Sequence, residues 1–257
     1  MRGAWRALRR FWESDRGLSA FLGLLVVFLF VLPPLVEPEG QGRSLIVDLG
    51  LSVLLLAGVA AVSPHRAVRV LLFVLVVGAL VVRWGAFAAP VTAAAALVTV
   101  MAMTFVVLGQ AFRAGPVNVH RIQGAVAAYL LLGLAWALAY ETLALVAEGA
   151  FSSAGPAEPE RGRFIYFSFV TLTTVGYGDV TPVHPVARSL AVTEALVGQL
   201  YPAILLARLV SLATGRGPAG PGQAAPPAGP GQGQKGRGGG ARRACPVHRS
   251  GRRLSTH

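Results

Sequence analysis

Arg163-Phe-Ile-Tyr-Phe-Ser-Phe-Val-Thr-Leu-Thr-Thr-Val-Gly-Tyr-Gly-Asp179 is the stretch whose reading decides the fold. It lies between two long apolar runs, Ile122 to Ala147 and Val186 to Leu212, and is too short to cross a bilayer twice as helix. Non-helical backbone at membrane depth survives only where protein buries it or where it lines a watery path. The stretch therefore reads as a re-entrant loop: a short helix going in, about Phe164 to Thr173, then an extended segment coming out.

The rest of the chain supports a membrane setting. Of 257 residues, 54% are hydrophobic and only 13% charged, against about 25% charged in ordinary soluble domains. The mean hydropathy is +0.61. A helix needs about 20 apolar residues to cross the hydrocarbon core. Six stretches qualify: Leu18 to Val36, Leu45 to Val62, Ala67 to Ala89, Pro90 to Phe112, Ile122 to Ala147, and Val186 to Leu212. Pro64 and Pro90 are natural breakpoints, because proline disrupts a helix interior and fits its first turn. A signal peptide is the rival reading of the first run, but Pro33-Pro34-Leu35-Val36-Glu37 offers no small-x-small cleavage site.

The net charge of +12 invites a nucleic-acid reading, which the repeated membrane-length runs exclude. Arginine placement sets the expected topology instead. Arg2, Arg6, Arg9, Arg10 and Arg16 precede the first run, Arg66 and Arg69 follow the second, and Arg113 and Arg121 follow the fourth. The segment after Leu212 is basic and has no acidic residue. Six crossings put all of these on one side and both termini in the cytoplasm of a multi-pass cell-membrane protein. Cys245 is the single cysteine; with His248 it supplies two ligands, too few for a zinc site. Paired carboxylates, metal-ligand clusters and nucleophile–histidine arrangements do not occur in the spans, which argues against an enzyme.

Thr171-Leu-Thr-Thr-Val-Gly-Tyr-Gly-Asp179, placed between two spans, resembles the selectivity-filter motif of potassium channels. The resemblance covers roughly Ile122 to Leu212 and extends only loosely to the first four spans. It implies an all-α membrane protein with six transmembrane helices. A pore helix and filter loop lie between the fifth and sixth, and the assembly is a fourfold tetramer of this chain with three further copies of itself. A dehydrated potassium ion needs oxygens in place of its hydration shell, and a ring of backbone carbonyls supplies them. By the resemblance, the carbonyls of Thr174, Val175, Gly176 and Tyr177 bind K+, and the Thr174 hydroxyl closes the innermost site. Gly176 and Gly178 permit backbone angles that a Cβ resists. Val175 and Tyr177 are expected to point away from the axis and pack on the pore helix. Tyr166, Thr173 and Asp179 are the expected supports of the filter, with Tyr166 bonding Asp179. The motif departs from some members at Val170, where they carry a glutamate. The permeant ion is the sole ligand implied, with no cofactor.

In the last run, Gly198 stands where the family has a hinge glycine and Pro202 follows one turn later. A hinge and a close helix contact are both open readings of Gly198. Glu194 and Gln199 are polar groups at membrane depth and hence functional candidates: Glu194 toward the pore helix or a neighbouring chain, Gln199 toward the cavity. Arg208 is expected to reach lipid headgroups. The fourth span has no basic residue, and Arg83 in the third reads as solitary and snorkelling, so a conventional voltage sensor is not expected.

The expected domains are a basic cytoplasmic N-terminus (1–17), a four-helix membrane domain (18–112), a pore domain (121–213) and a disordered basic tail (214–257). The basic ends suit anionic lipid headgroups. The reading is a potassium-selective channel subunit; the rivals are a non-conducting accessory subunit and a less selective cation channel.

Overall fold

The computed structural model describes residues 15–35, 45–62, 66–85, 87–112, 119–153 and 160–214. The expectations for the N-terminal arginines up to Arg10, for Pro64, for Arg113 and for the tail with Cys245 lie outside these residues.

Helix α1 (Asp15–Val26) runs through a π turn (Val27–Val31) into the short α2 (Leu32–Leu35). Pro33 and Pro34 have no N–H, so the bonds to the carbonyls of Leu29 and Phe30 cannot form. The turn before them widens, and the Leu32 N–H reaches the Val27 carbonyl. Then come α3 (Leu45–Val62), α4 (Arg66–Trp84), α5 (Ala89–Ala111) and α6 (Val119–Val146). Pro90 occupies the first turn of α5 after the extended Ala88, as a residue lacking an N–H should. Strand β1 (Phe151–Ser153), α7 (Glu160–Leu172), β2 (Val180–Pro182) and α8 (Pro185–Thr214) complete the described chain.

Among the described residues, five helical segments are long and apolar enough to cross a membrane: Gly17–Leu35, Arg66–Trp84, Ala89–Ala111, Arg121–Val146 and Pro185–Ser211. The segment Leu45–Ala61, within α3, is apolar but shorter. The architecture is that of a mostly helical, multi-pass membrane protein. One departure from an all-helical fold is the ribbon in which β1 and β2 pair antiparallel, Phe151 opposite Pro182 and Ser153 opposite Val180.

Helix α6 is the centre of the packing. Ala127, Ala128, Leu131, Leu134, Ala135, Leu138 and Tyr140 are all buried along it, against α5 on one side and α7 on the other. Its alanines let neighbouring backbones come close. Helix α1 also packs on α6, and Phe30 of the π turn meets Phe169 of α7 edge-on at 5.1 Å. The π turn that follows α1 therefore touches α7 directly.

Arg83 departs from the sequence reading. It is buried and forms an ion pair with buried Asp48 of α3, 35 residues away. A snorkelling arginine would keep its head in water; this one is paired inside the helical bundle.

Helix α8 is covered on one narrow stripe, at Ala187, Glu194, Gly198 and Tyr201. Val192, Leu196, Leu200 and Ile204 form an exposed apolar stripe at four-residue spacing, a second apolar face that a single chain leaves uncovered.

Candidate functional site

The segment from Thr173 to Asp179 leaves α7 and is exposed throughout in the single chain. Its conformation follows from where its amides go. Thr173 N–H donates to the Phe169 carbonyl (3.0 Å), Thr174 N–H to Thr171 (2.9 Å), and Val175 and Gly176 N–H both to Val170 (2.9 and 3.3 Å). The last turn of a helix leaves its carbonyls without intrahelical partners, and here the loop's own amides fill that role. Among the described residues no peptide is cis. In a planar trans peptide the C=O lies opposite the N–H. The carbonyls of Thr173, Thr174 and Val175 are thus turned away from α7, toward the open side.

The backbone alternates in hand to achieve this. Thr174, Gly176 and Gly178 have φ of 60°, 59° and 80°, while Val175 and Tyr177 between them stay at negative φ. In an ordinary strand successive carbonyls point to opposite sides; alternating the hand at every second residue brings them to one side. Glycine takes positive φ freely. Thr174 does not, since a β-branched residue there is a strained outlier. Nothing lies within 4 Å of a Cβ built on Gly176 or Gly178, so their requirement is conformational and not steric.

Around this loop the expected residues take specific places. Tyr177 is 72% exposed and Val175 53%, so within one chain neither is buried against α7. The Tyr177 ring lies parallel to that of Tyr166, 6.5 Å between centroids. Asp179 Oδ1 accepts the Val180 N–H at 3.0 Å, which starts β2. Thr173 Oγ1 donates back to the Phe169 carbonyl at 2.6 Å. Gln199 Nε2 donates to Thr174 Oγ1 at 2.8 Å. Gly198 is pressed against the end of α7: a Cβ there would sit 2.0 Å from the Leu172 carbonyl oxygen. Tyr129 Oη donates to that same oxygen at 3.4 Å. Pro202 lies inside the unbroken α8; lacking an N–H, it leaves the Gly198 carbonyl without its helical donor.

Glu194 is fully buried and joins three helices. Tyr140 of α6 donates to its Oε2 at 2.5 Å, and Ser168 of α7 lies 2.5 Å from its Oε1. Ser168 Oγ is also 2.8 Å from the Gly133 carbonyl of α6. A hydroxyl has one proton to give, and a carbonyl can only accept. Ser168 is the donor to both acceptors, so its one proton is shared between the Gly133 carbonyl and the Glu194 carboxyl. An aromatic group backs this junction: Tyr140 meets Phe167 at 4.9 Å and Phe151 at 5.5 Å, and Phe151 meets Phe164 at 5.0 Å.

Tyr140, Ser168, Gly133 and Tyr129 are partners that the sequence reading did not single out. A tyrosine and a serine at membrane depth are the available signal, since each carries a hydroxyl that must find a partner. Nearer the far end of α8, the Arg208 guanidinium lies over the Phe112 ring, 5.2 Å from its centroid. Phe112 meets Tyr201 edge-on at 6.1 Å, and Tyr201 Oη donates to the Ala125 carbonyl at 2.7 Å. Among the described residues no group of three or more His, Cys, Asp or Glu is placed to hold a metal ion.

Residues 127–214 match the family model Ion_trans_2, described as an ion channel. A 60-residue segment is 45% identical to "Two pore potassium channel c" of Oryza sativa subsp. japonica, covering 23% of this chain and 13% of that one. "Protein LctB" of Bacillus caldotenax is 38% identical over 88 residues, covering 32% of this chain and 64% of that one. "Protein LctB" of Geobacillus stearothermophilus is 50% identical over 46 residues, covering 18% and 34%. The chain thus spans less than two thirds of the length of each of these relatives.

Proposed function

We propose, from the premise that residues 127–214 form an ion-channel domain of the potassium-channel type, that the chain is one subunit of a tetrameric, potassium-selective pore. The observation that carries this reading is the direction of the peptides after α7. Amides bonded to Val170 and Thr171 turn the carbonyls of Thr173, Thr174 and Val175 to one open side. Four such segments around an axis make stacked rings of oxygens, the ligand set that replaces the hydration shell of K+. Thr174, Val175, Gly176 and Tyr177 are then the ion-binding positions, and Gly178 lets the chain turn out toward β2.

A single chain supplies a quarter of each ring, so a closed fourfold assembly is required. The apolar stripe of α8 and the exposed Val175 and Tyr177 supply surface for neighbouring copies to cover. In this reading α3 spans alongside the five longer helices, giving six crossings. The loop from α7 to β2 is re-entrant, and both termini lie in the cytoplasm of the cell membrane. Residues 18–112 form a flanking helical domain and 121–213 the pore. The basic segments 1–17 and 214–257 meet anionic headgroups. Passage of the ion needs no covalent chemistry and no cofactor. Pro202, which leaves the Gly198 carbonyl without its helical donor, gives α8 its point of bending beyond the contact of Gly198 with α7.

The test is K+ against Na+ flux through purified protein in liposomes, with Gly178→Ala beside the wild type. Potassium-selective flux that the substitution abolishes supports the reading. Equal K+ and Na+ flux replaces it with a less selective cation channel. No flux under varied pH, lipid and voltage replaces it with an accessory subunit.

A further inference from the structure

Thr174 is a residue held in a conformation that its side chain resists, with φ of 60°. Two contacts hold it there. Its N–H donates to the Thr171 carbonyl at 2.9 Å, and its hydroxyl oxygen accepts from Gln199 Nε2 at 2.8 Å. The second contact comes from a helix that cannot shift in register at this level. Gly198, the preceding residue, lies so close to the Leu172 carbonyl that a Cβ would be 2.0 Å from it. The amide of Gln199 is therefore presented at a fixed position relative to the inner end of the loop.

The chemistry at Thr174 gives this contact a consequence. The Thr174 carbonyl shares its peptide with the Val175 N–H, which is bonded to Val170 at 2.9 Å, so that carbonyl is turned away from α7 and fixed. The hydroxyl would otherwise rotate freely. A threonine hydroxyl has one proton and two acceptor lone pairs. With a Gln199 N–H on one lone pair, the other is left in a defined direction for a cation. Thr174 and Gln199 are both exposed on the open side of the single chain, where an ion has access.

We infer that Gln199 is a positioning residue of the innermost cation site: it orients the Thr174 hydroxyl and so sets the affinity of that site for an ion of potassium's size. This rests on the proposed reading of the loop as a selectivity filter. The probe is Ba2+, a divalent ion close to K+ in size. Its affinity is measured by isothermal titration of purified full-length protein, which does not depend on whether the pore is open.

Gln199→Met, which keeps the length and removes the donor, is expected to weaken Ba2+ binding by roughly 2- to 12-fold, the span of one net hydrogen bond. The same substitution should act equally on a Thr174→Ser background, which keeps the hydroxyl. It should have no further effect on a Thr174→Cys background, which lacks one. Unchanged Ba2+ affinity in Gln199→Met overturns the inference. So does an equal loss on the cysteine background, since the effect then does not pass through the hydroxyl. Potassium-selective flux in the wild type together with either of these results leaves the channel reading standing and removes only the inference. Wild-type protein that shows no selective flux removes the channel reading, and if it also binds no Ba2+ the inference falls with it.

Discussion

The position a Cβ would occupy on Gly198 lies 2.0 Å from the carbonyl oxygen of Leu172, so α8 and the end of α7 are in backbone contact. Leu172 is the last residue of α7, and the loop that follows takes its direction from that turn. Any side chain at Gly198 must push α8 and α7 apart. Gly198→Ala is expected to reduce the tetramer fraction in size-exclusion chromatography and to abolish selective flux. An intact tetramer whose open probability alone changes would assign Gly198 to bending and not to packing.

The Glu194 carboxyl meets the Tyr140 hydroxyl at one oxygen and the Ser168 hydroxyl at the other. An amide can meet both hydroxyls. Glu194→Gln should therefore assemble and conduct like the wild type. Tyr140→Phe leaves a buried oxygen of Glu194 without its donor and should cost about 1–3 kcal/mol, read as a lowered midpoint in thermal unfolding in detergent. A Gln variant as damaged as Glu194→Leu would show that a negative charge is required.

The Asp48–Arg83 pair is buried on both sides. Removing one partner of such a pair costs about 3–5 kcal/mol, whereas replacing both by apolar groups is often neutral. Asp48→Leu is expected to lower thermal stability sharply, and Asp48→Leu with Arg83→Met to recover most of the loss. If the double variant is no better than the single one, the pair is held by more than its charges.

Tyr166 and Tyr177 face each other as parallel rings. Tyr166→Phe keeps the ring face and removes the hydroxyl, whereas Tyr166→Ala removes both. If the stack is what braces the loop, Tyr166→Ala should speed current decay in sustained recordings and Tyr166→Phe should leave it unaltered. A changed decay in Tyr166→Phe would assign the support to the hydroxyl.

What was legible in the sequence is what local pattern encodes. The apolar runs gave the helices to within a few residues, because burial in lipid or protein demands unbroken apolar length. The glycines at 176 and 178 marked positive φ, because that conformation selects for the missing Cβ. Thr174 shares the conformation without the signal, since it is held by tertiary contacts. Contacts across the fold had no such mark. Asp48 finds Arg83 from 35 residues away, and Glu194 finds Tyr140 from 54. A polar residue in an apolar run announces that it needs a partner without saying which. The strands at Phe151–Ser153 and Val180–Pro182 are too short for any alternation to register.

That small ribbon has a bearing on how the assembly comes together. The Ala150 carbonyl accepts the N–H groups of Val183 and His184 at 2.9 and 3.2 Å, and Arg188 Nε donates to the Pro182 carbonyl at 3.2 Å. The chain leaving the loop is therefore moored, by contacts within one chain, to the turn that follows α6. In the proposed tetramer, each copy brings its quarter of the pathway shaped by contacts within its own chain. On that reading the copies are expected to meet as finished surfaces, with docking and not refolding of this ribbon completing the assembly.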